Sequence, residues 1–301
     1  MPTRFILPSF FIVGPPRTGT SWLHHVLAKH AVLPKEIKET RFFDIHFHRG
    51  MAWYRAHYPK SIESPLTGEV APTYFASTEA RSRIWALNPE AKIVCTFRNP
   101  VDRVLSLYRL KRAYGMFPWS LEEAMHRDPE LTESSKYATH LKAWQTQFGC
   151  DQVLPTIYDD LRRDPQPYMD TLVDFIGLQR FPLNSVELTH SSGEMTLPKN
   201  YRRTRIGTAV ADWLKAHRLN TVVTEVKRSK IVKLFLGGGS NFDVVPPAVI
   251  HKLYEAFRPE VEKLETMLDR DLSAWKSESP SQFGSKRVFA GASRTHVVNE
   301  S

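Results

Sequence analysis

The chain has 301 residues, of which 42% are apolar and 24% charged, so it is long enough for a sizeable core and wholesale disorder is excluded. Lysine and arginine outnumber aspartate and glutamate by 41 to 32, which favours an anionic partner, but this excess is diffuse and we expect no nucleic-acid partner. Two cysteines imply no disulfide framework, and the apolar N-terminal run is too short and interrupted to span a membrane. These features predict a cytoplasmic protein without a transmembrane segment.

A strand is predicted at "SFFIVG" and a helix at "TSWLHHVLAKH", with a glycine-rich loop between them. Farther along, patterns alternate: the helix "STEARSRIWALN", the strand "KIVCTF", the helix "NPVDRVLSLYRLKRAYG", the strand "QVLPTIY" and the helix "DPQPYMDTLVDFIGL". A last amphipathic helix is predicted in "PAVIHKLYEAFRPEVEKLETMLDRDLSAW". This alternation predicts an α/β fold, a three-layer domain with a central parallel sheet flanked by helices. We expect it over residues 1–276, with a flexible C-terminal tail at 277–301.

The stretch "FIVGPPRTGTSW", residues 11–22, nearly matches a phosphate-binding loop. Gly14 and Gly19 have the spacing of the pattern G-x-x-x-x-G-K-[ST], but Thr20 stands where the lysine belongs. Such a loop still offers backbone N–H groups and the positive end of a helix to an anion. Arg17 adds a fixed charge, and hydroxyls come from Thr18, Thr20 and Ser21. The loop therefore predicts a P-loop-like site for an anion other than a triphosphate, although a tight turn without a ligand explains an isolated loop equally well.

The segment "PPRTGTSWL" resembles the phosphosulfate-binding loop of sulfotransferases that use phosphoadenosine phosphosulfate (PAPS). A second segment, "KIVCTFRNPVDRVLSLYRL", resembles the family's other signature, a strand ending in arginine and a serine eight residues later. The resemblance implies that Arg98 and Ser106 hold the phosphate on the ribose. It also implies that the first loop binds the nucleotide through Arg17, Thr18, Gly19, Thr20, Ser21 and Trp22. Alone, Arg98 and Ser106 would be an ordinary surface arginine and a solvated serine, but both segments occur in the correct order.

Three further segments resemble carbohydrate sulfotransferases of the heparan sulfate type and their bacterial relatives. They are "ETRFFD" for E-x-[HK]-F-F-D, "EVAPTY" for E-K-[TS]-P-x-Y and "YATHLKAW" for Y-x-x-x-L-x-x-W, and the resemblance covers Phe10 to about Leu178. It implies that Glu39 is the general base that takes the proton of the attacking hydroxyl. It also implies acceptor contacts from Arg41, Phe43, Asp44 and Tyr74. The other readings are a solvated glutamate in a charged loop and aromatic residues that belong to the core.

Three departures from the family pattern affect these assignments. Arg17 occupies the usual position of a lysine, so its role is charge stabilisation rather than proton donation. Val70 stands where the second acceptor segment has lysine, which weighs against a heavily sulfated glycan. The paired cysteines and following basic loop of the Golgi enzymes are not evident. A loop within 191–206, with Arg202 and Arg203, is a hypothesis for closure over the nucleotide, the alternative being that these arginines are simply solvated.

Together these segments predict a PAPS-dependent sulfotransferase that moves the sulfonyl group to a hydroxyl acceptor, by resemblance a carbohydrate or glycolipid, without a metal. Two alternatives stay open. One is an ATP-dependent small-molecule kinase with a degenerate P-loop, which the missing lysine weakens. The other is a non-catalytic polyanion-binding module, which is supported only by the net charge of +9.

Overall fold

A parallel sheet forms the centre of the protein in a computed structural model that describes residues 7–35, 37–59, 66–184, 197–216 and 242–277. Its strands are β1 (Phe10–Gly14), β2 (Gly68–Val70), β3 (Lys92–Phe97) and β4 (Val153–Ile157), in the order β2-β1-β3-β4. All three pairings are parallel. The strands predicted at "SFFIVG", "KIVCTF" and "QVLPTIY" are thus confirmed, and β2 is an addition within "TGEVAPTYF".

Helices connect these strands and cover the sheet. In chain order they are α1 (Thr20–Leu27), α2 (Gly50–Arg55), α3 (Thr78–Leu87), α4 (Pro100–Ala113), α5 (Leu121–Arg127), α6 (Glu130–Glu133), α7 (Tyr137–Phe148), α8 (Tyr158–Arg163), α9 (Pro165–Ile176), α10 (Tyr201–Ala216) and α11 (Pro247–Leu268). Each helix predicted from periodicity is present. The α4 helix begins where expected, because Pro100 suits a first turn and the Asn99 side chain accepts from the N–H groups of Val101 and Asp102.

Alternate residues of β1 enter two different hydrophobic cores. Phe10 and Ile12 pack with residues of α1 and α9. Phe11 and Val13 pack with residues of α3, α7 and α11, together with the aromatic side chains that follow residue 41. Because side chains alternate across a strand, the two cores lie on opposite faces of the sheet. This arrangement confirms the predicted three-layer α/β fold.

The prediction of a loop over 191–206 is wrong from Tyr201 onward, where α10 begins. Residues 191–196 lie outside the described residues, as do residues 278–301 of the predicted tail. Among the residues that the structure describes, no helix is both long enough and apolar enough to cross a membrane. The domain boundary at 276 and the cytoplasmic location stay predictions.

Candidate active site

The loop between β1 and α1 changes direction at residues with positive φ. Gly14 has φ 85°, and a Cβ there would lie 2.6 Å from the Cβ of Pro72, so only glycine fits. Gly19 precedes α1 with φ 95°, and Arg17 adopts φ 76°, which is uncommon for a residue with a side chain. The neighbouring Thr18 holds the turn, since its hydroxyl lies 2.6 Å from the Pro15 carbonyl oxygen and also bonds to Thr96 of β3. The Thr18 hydroxyl therefore stabilises the loop from inside the protein.

Arg17 joins this loop to the second predicted nucleotide-binding segment. Its Nε donates to the Ser106 Oγ over 2.9 Å, which links the loop after β1 to the helix after β3. Arg98 follows β3, lies 5.3 Å from the centre of the Tyr158 ring and pairs with Asp102 at 3.6 Å. Burial, and secondly the nearby guanidinium of Arg98, lower the pKa of Arg17. Two cations therefore lie close together at the carboxyl ends of neighbouring strands, an arrangement that attracts anions.

Lys38 is a candidate site residue that sequence patterns did not indicate. Its Nζ lies 3.1 Å from the Oγ of Ser21 at the start of α1 and 2.9 Å from Oε1 of Glu39. The fold therefore brings an ammonium group to the loop whose own sequence lacks the P-loop lysine. It also places the predicted base beside the first turn of α1, within reach of the same ammonium group.

The remaining residues of the acceptor segment form a compact turn. Arg41 adopts φ 51° and precedes a π-helical turn, Phe42–His46. The Arg41 guanidinium pairs with Asp44 Oδ2 at 3.2 Å, while Asp44 Oδ1 accepts from the Ile45 N–H at 2.8 Å. The side chain of Arg41 is 44% exposed and that of Glu39 is 25% exposed. Both remain accessible to a ligand, whereas Asp44 mainly orders the turn.

Phe43 and Tyr74 do not line an open surface. Both side chains are fully buried, with ring centres 5.8 Å apart in an edge-to-face contact. The Tyr74 hydroxyl lies 3.3 Å from the Phe43 N–H and 3.3 Å from a carboxylate oxygen of Glu69. This burial corrects the expectation that the two rings contact the acceptor, because the family motif specifies residue identity but not the direction of a side chain.

The other predicted nucleotide-binding residues occupy different places. Thr20 is the buried first residue of α1, and Trp22 packs, partly buried, against the core between α1 and α9. Arg202 and Arg203 are exposed on α10, and in the described part of the chain no contact joins them to Arg17 or Arg98. The α10 helix contacts α4 and the residue that follows it: Nε of Arg112 donates to the Tyr201 hydroxyl at 3.1 Å, and the Thr208 hydroxyl donates to the Tyr114 carbonyl oxygen at 3.1 Å.

Comparisons with known proteins match the part of the chain that contains both predicted nucleotide-binding segments. A family profile described as "Sulfotransferase domain" matches residues 7–196. Heparan sulfate glucosamine 3-O-sulfotransferase 3A1 of Mus musculus is 32% identical over 183 residues, covering 58% of this chain and 47% of the relative. The bifunctional heparan sulfate N-deacetylase/N-sulfotransferase 2 of Bos taurus is 32% identical over 199 residues, covering 58% of this chain and 22% of the relative. The chain thus spans less than half the length of either relative.

Among solved structures, the sulfotransferase from Alicyclobacillus acidocaldarius aligns with a TM-score of 0.64 at 22% identity, over 91% of this chain and 100% of that one. This likeness concerns the fold, and it matches the layered parallel sheet described above. The profile match covers more than half of the chain and includes both nucleotide-binding segments and the acceptor segment. The chain therefore belongs to the sulfotransferase domain family.

Proposed function

We propose that the protein is a PAPS-dependent sulfotransferase that moves the sulfonyl group to a hydroxyl of a carbohydrate or glycolipid. The observation that carries this proposal is the hydrogen bond between Arg17 and Ser106, with Arg98 close to Arg17. Two segments 89 residues apart in the chain thereby form one cationic site at the carboxyl ends of β1 and β3. Family membership favours this function over the kinase and the polyanion-binding module.

The proposed reaction assigns a separate task to each charged residue. When bound, PAPS supplies the sulfonyl group, and the acceptor oxygen forms a bond to its sulfur. Glu39 takes the acceptor proton as general base. The bond between sulfur and the phosphate oxygen breaks, and its electron pair stays on that oxygen. Arg17 and the N–H groups at the start of α1 stabilise the resulting charge, and Lys38 is near enough to Ser21 to contribute.

The acceptor side favours a carbohydrate with few sulfate groups. Val70, at the position of the family lysine, is fully buried and pairs with Ile12 across the sheet. Arg41 is the exposed cation of the acceptor segment, and part of its charge is neutralised by Asp44. This arrangement offers limited attraction to a polysulfated chain. The relatives that act on heparan sulfate support the carbohydrate class.

Nucleotide selectivity tests the donor assignment directly. The desulfated product of PAPS, phosphoadenosine phosphate (PAP), should raise the melting temperature of the protein more than AMP does, because only PAP carries the ribose phosphate. Arg98→Ala should remove most of this difference by deleting a charge-assisted contact to that phosphate. Equal shifts with PAP and AMP in the unmutated protein would contradict the assignment.

An acceptor screen then tests the reaction. Radiolabelled PAPS should transfer its label to unsulfated heparan-type polysaccharide or to a glycolipid in a panel that also contains N-desulfated and fully sulfated heparan. N-desulfated heparan carries free amines, so transfer to this polysaccharide alone would show that the acceptor group is an amine and not a hydroxyl. Magnesium-dependent turnover of ATP, without transfer from PAPS, would favour the kinase instead.

A further inference from the structure

Glu69 of β2 is a buried carboxylate outside the set of predicted site residues. It has no exposed surface, and in the part of the chain that the structure describes no lysine or arginine pairs with it. Its donors are the Thr40 N–H and hydroxyl, the Tyr54 hydroxyl and the Tyr74 hydroxyl. Burial raises the pKa of Glu69 to about 7, although these hydrogen bonds act in the opposite direction. A buried acid without a cation reduces the stability of the protein compared with an apolar residue. The hydrogen-bond partners of Glu69 therefore indicate its role.

Two of the hydrogen bonds of Glu69 come from Thr40, the residue directly after the proposed base. Oε1 of Glu69 accepts from the Thr40 N–H at 2.9 Å and from its hydroxyl at 2.6 Å. The Thr40 side chain is itself buried. Both the peptide between Glu39 and Thr40 and the Thr40 side chain are thus tied to β2, which pairs with β1 in the centre of the sheet.

The same network continues through the turn that follows. The Phe42 N–H donates to the Thr40 hydroxyl oxygen at 3.1 Å, and the Phe43 N–H donates to the Tyr74 hydroxyl at 3.3 Å. Arg41, between them, has φ 51°. A non-glycine residue keeps such a conformation when its surroundings over-determine it. Glu69 lies at the centre of these bonds.

We propose that Glu69 is a positioning residue, which fixes the Thr40 peptide and thereby the orientation of Glu39 toward the acceptor. The inference rests on the proposed function, in which Glu39 is the base. A general base acts only within hydrogen-bond reach of the proton it takes, so loss of the anchor lowers turnover more than it lowers donor binding.

The network accommodates both protonation states of Glu69. In the ionised state the Tyr54 hydroxyl donates to Oε2 at 2.9 Å. In the protonated state Oε2 donates to Tyr54, Tyr54 donates to the Tyr58 hydroxyl 2.8 Å away, and Tyr58 donates to the Gly68 carbonyl oxygen at 3.3 Å. Oε1 continues to accept from Thr40 in either case. Glutamine reproduces the protonated pattern, so Glu69→Gln preserves the anchor while Glu69→Ala removes it.

The test compares Glu69→Ala, Glu69→Gln and Thr40→Val in the 301-residue chain, with Tyr168→Phe as a control that deletes a buried hydroxyl hydrogen-bonded to Thr156. Sulfonyl transfer is measured with PAPS and the best acceptor of the screen. Glu69→Ala should lower kcat by at least about tenfold with the KM for PAPS within about threefold, and Glu69→Gln should restore kcat to within about threefold. Thr40→Val, which keeps the N–H bond, should lower kcat by a smaller factor. A folded Glu69→Ala with unchanged kcat overturns the proposal. If Glu69→Ala does not fold, Glu69→Leu takes its place, since it fills the site without offering an acceptor to Thr40, and unchanged kcat in that variant overturns the proposal.

Hydrogen exchange gives a readout that does not depend on activity. In Glu69→Ala, the protection factors of the amides of Thr40, Phe42 and Phe43 should fall at least about tenfold. In Glu69→Gln and Tyr168→Phe they should stay unchanged. Unchanged protection in Glu69→Ala rejects the anchor even if turnover falls. Absence of transfer by the unmutated protein to every acceptor would refute the proposed function, and the exchange data would then decide the role of Glu69 alone.

Discussion

The Arg17 Nε donates a hydrogen bond of 2.9 Å to the Ser106 Oγ, although Arg17 lies in the loop after β1 and Ser106 lies in α4, which follows β3. This bond uses the inner nitrogen of the guanidinium, and within the described residues no hydrogen bond involves its two terminal nitrogens. A lysine here would have to reach both Ser106 and an anion from one nitrogen, whereas the guanidinium offers separate nitrogens. Arg17 thus links the first predicted nucleotide-binding segment to the second.

Substitutions of Arg17 should show how much of its effect on turnover comes from its charge and how much from the shape of the guanidinium. Arg17→Ala should lower sulfonyl transfer by on the order of a hundredfold or more, because a cation at the breaking bond is lost. Arg17→Lys should retain appreciable turnover, since the charge remains and no proton has to be donated. Steady-state kinetics with PAPS check both values, and normal turnover in Arg17→Ala would remove this residue from the mechanism.

Lys38 should affect turnover although it lies outside the two nucleotide segments. Its ammonium contacts both Ser21 and Glu39, so Lys38→Met should lower kcat by about tenfold or more. Lys35→Met is the matched control, because Lys35 is exposed in the same connecting segment and its side chain takes no part in the proposed site. Equal kcat in the two variants would show that the contacts of Lys38 are only those of a surface ion pair.

The elements predicted correctly are those with a strong local signal. β1, β3 and β4 are apolar runs bounded by turn residues, and α9 ends at Gly177, whose φ of 84° suits a helix terminus. β2 spans three residues, which is too short for any periodicity to appear. α10 carries a run of arginines and leaves Ile206 and Val210 exposed, so its sequence lacks a clear apolar face and indicated a loop.

The candidate site could be predicted where its residues lie in motifs of recognisable spacing. Arg17, Arg98 and Ser106 were predicted because their segments resemble the two family signatures, although the bond between Arg17 and Ser106 depends on the fold. Lys38 was not, because its contact with Ser21 depends on the path of the chain after α1. The carboxylate of Glu69 was missed for the same reason, since its partners come from three separate segments of the chain.

The pKa of Glu69 predicts a specific dependence of stability on pH. It is raised to about 7 in the folded protein, so between roughly pH 4.5 and 7 the folded state holds a proton that the unfolded chain releases. The free energy of unfolding therefore falls as pH rises through this window and levels off above it. Glutamine has no such proton, so the stability of Glu69→Gln relative to the unmutated protein should rise by on the order of 2–3 kcal/mol from pH 5 to pH 8. Urea unfolding of both proteins at the two pH values measures this difference, and an identical difference at both would contradict the raised pKa.

Replacement of Glu39 tests the proposed base most directly. Glu39→Gln keeps the size of the side chain and removes its basicity, and general-base catalysis is typically worth about a hundred to ten thousandfold. We expect turnover to fall by at least the lower figure, while PAP affinity stays within about threefold because the proposed nucleotide site consists of other residues, Arg17, Arg98 and Ser106. Asp44→Asn is the comparison: Asp44 pairs with Arg41 and accepts from the Ile45 N–H, so its loss should disturb the turn and lower turnover less. Near-normal turnover in Glu39→Gln would assign the base to another group, and His46, His48 and Asp44 would then be the candidates. A parallel loss of PAP binding would show that Glu39 has a structural role.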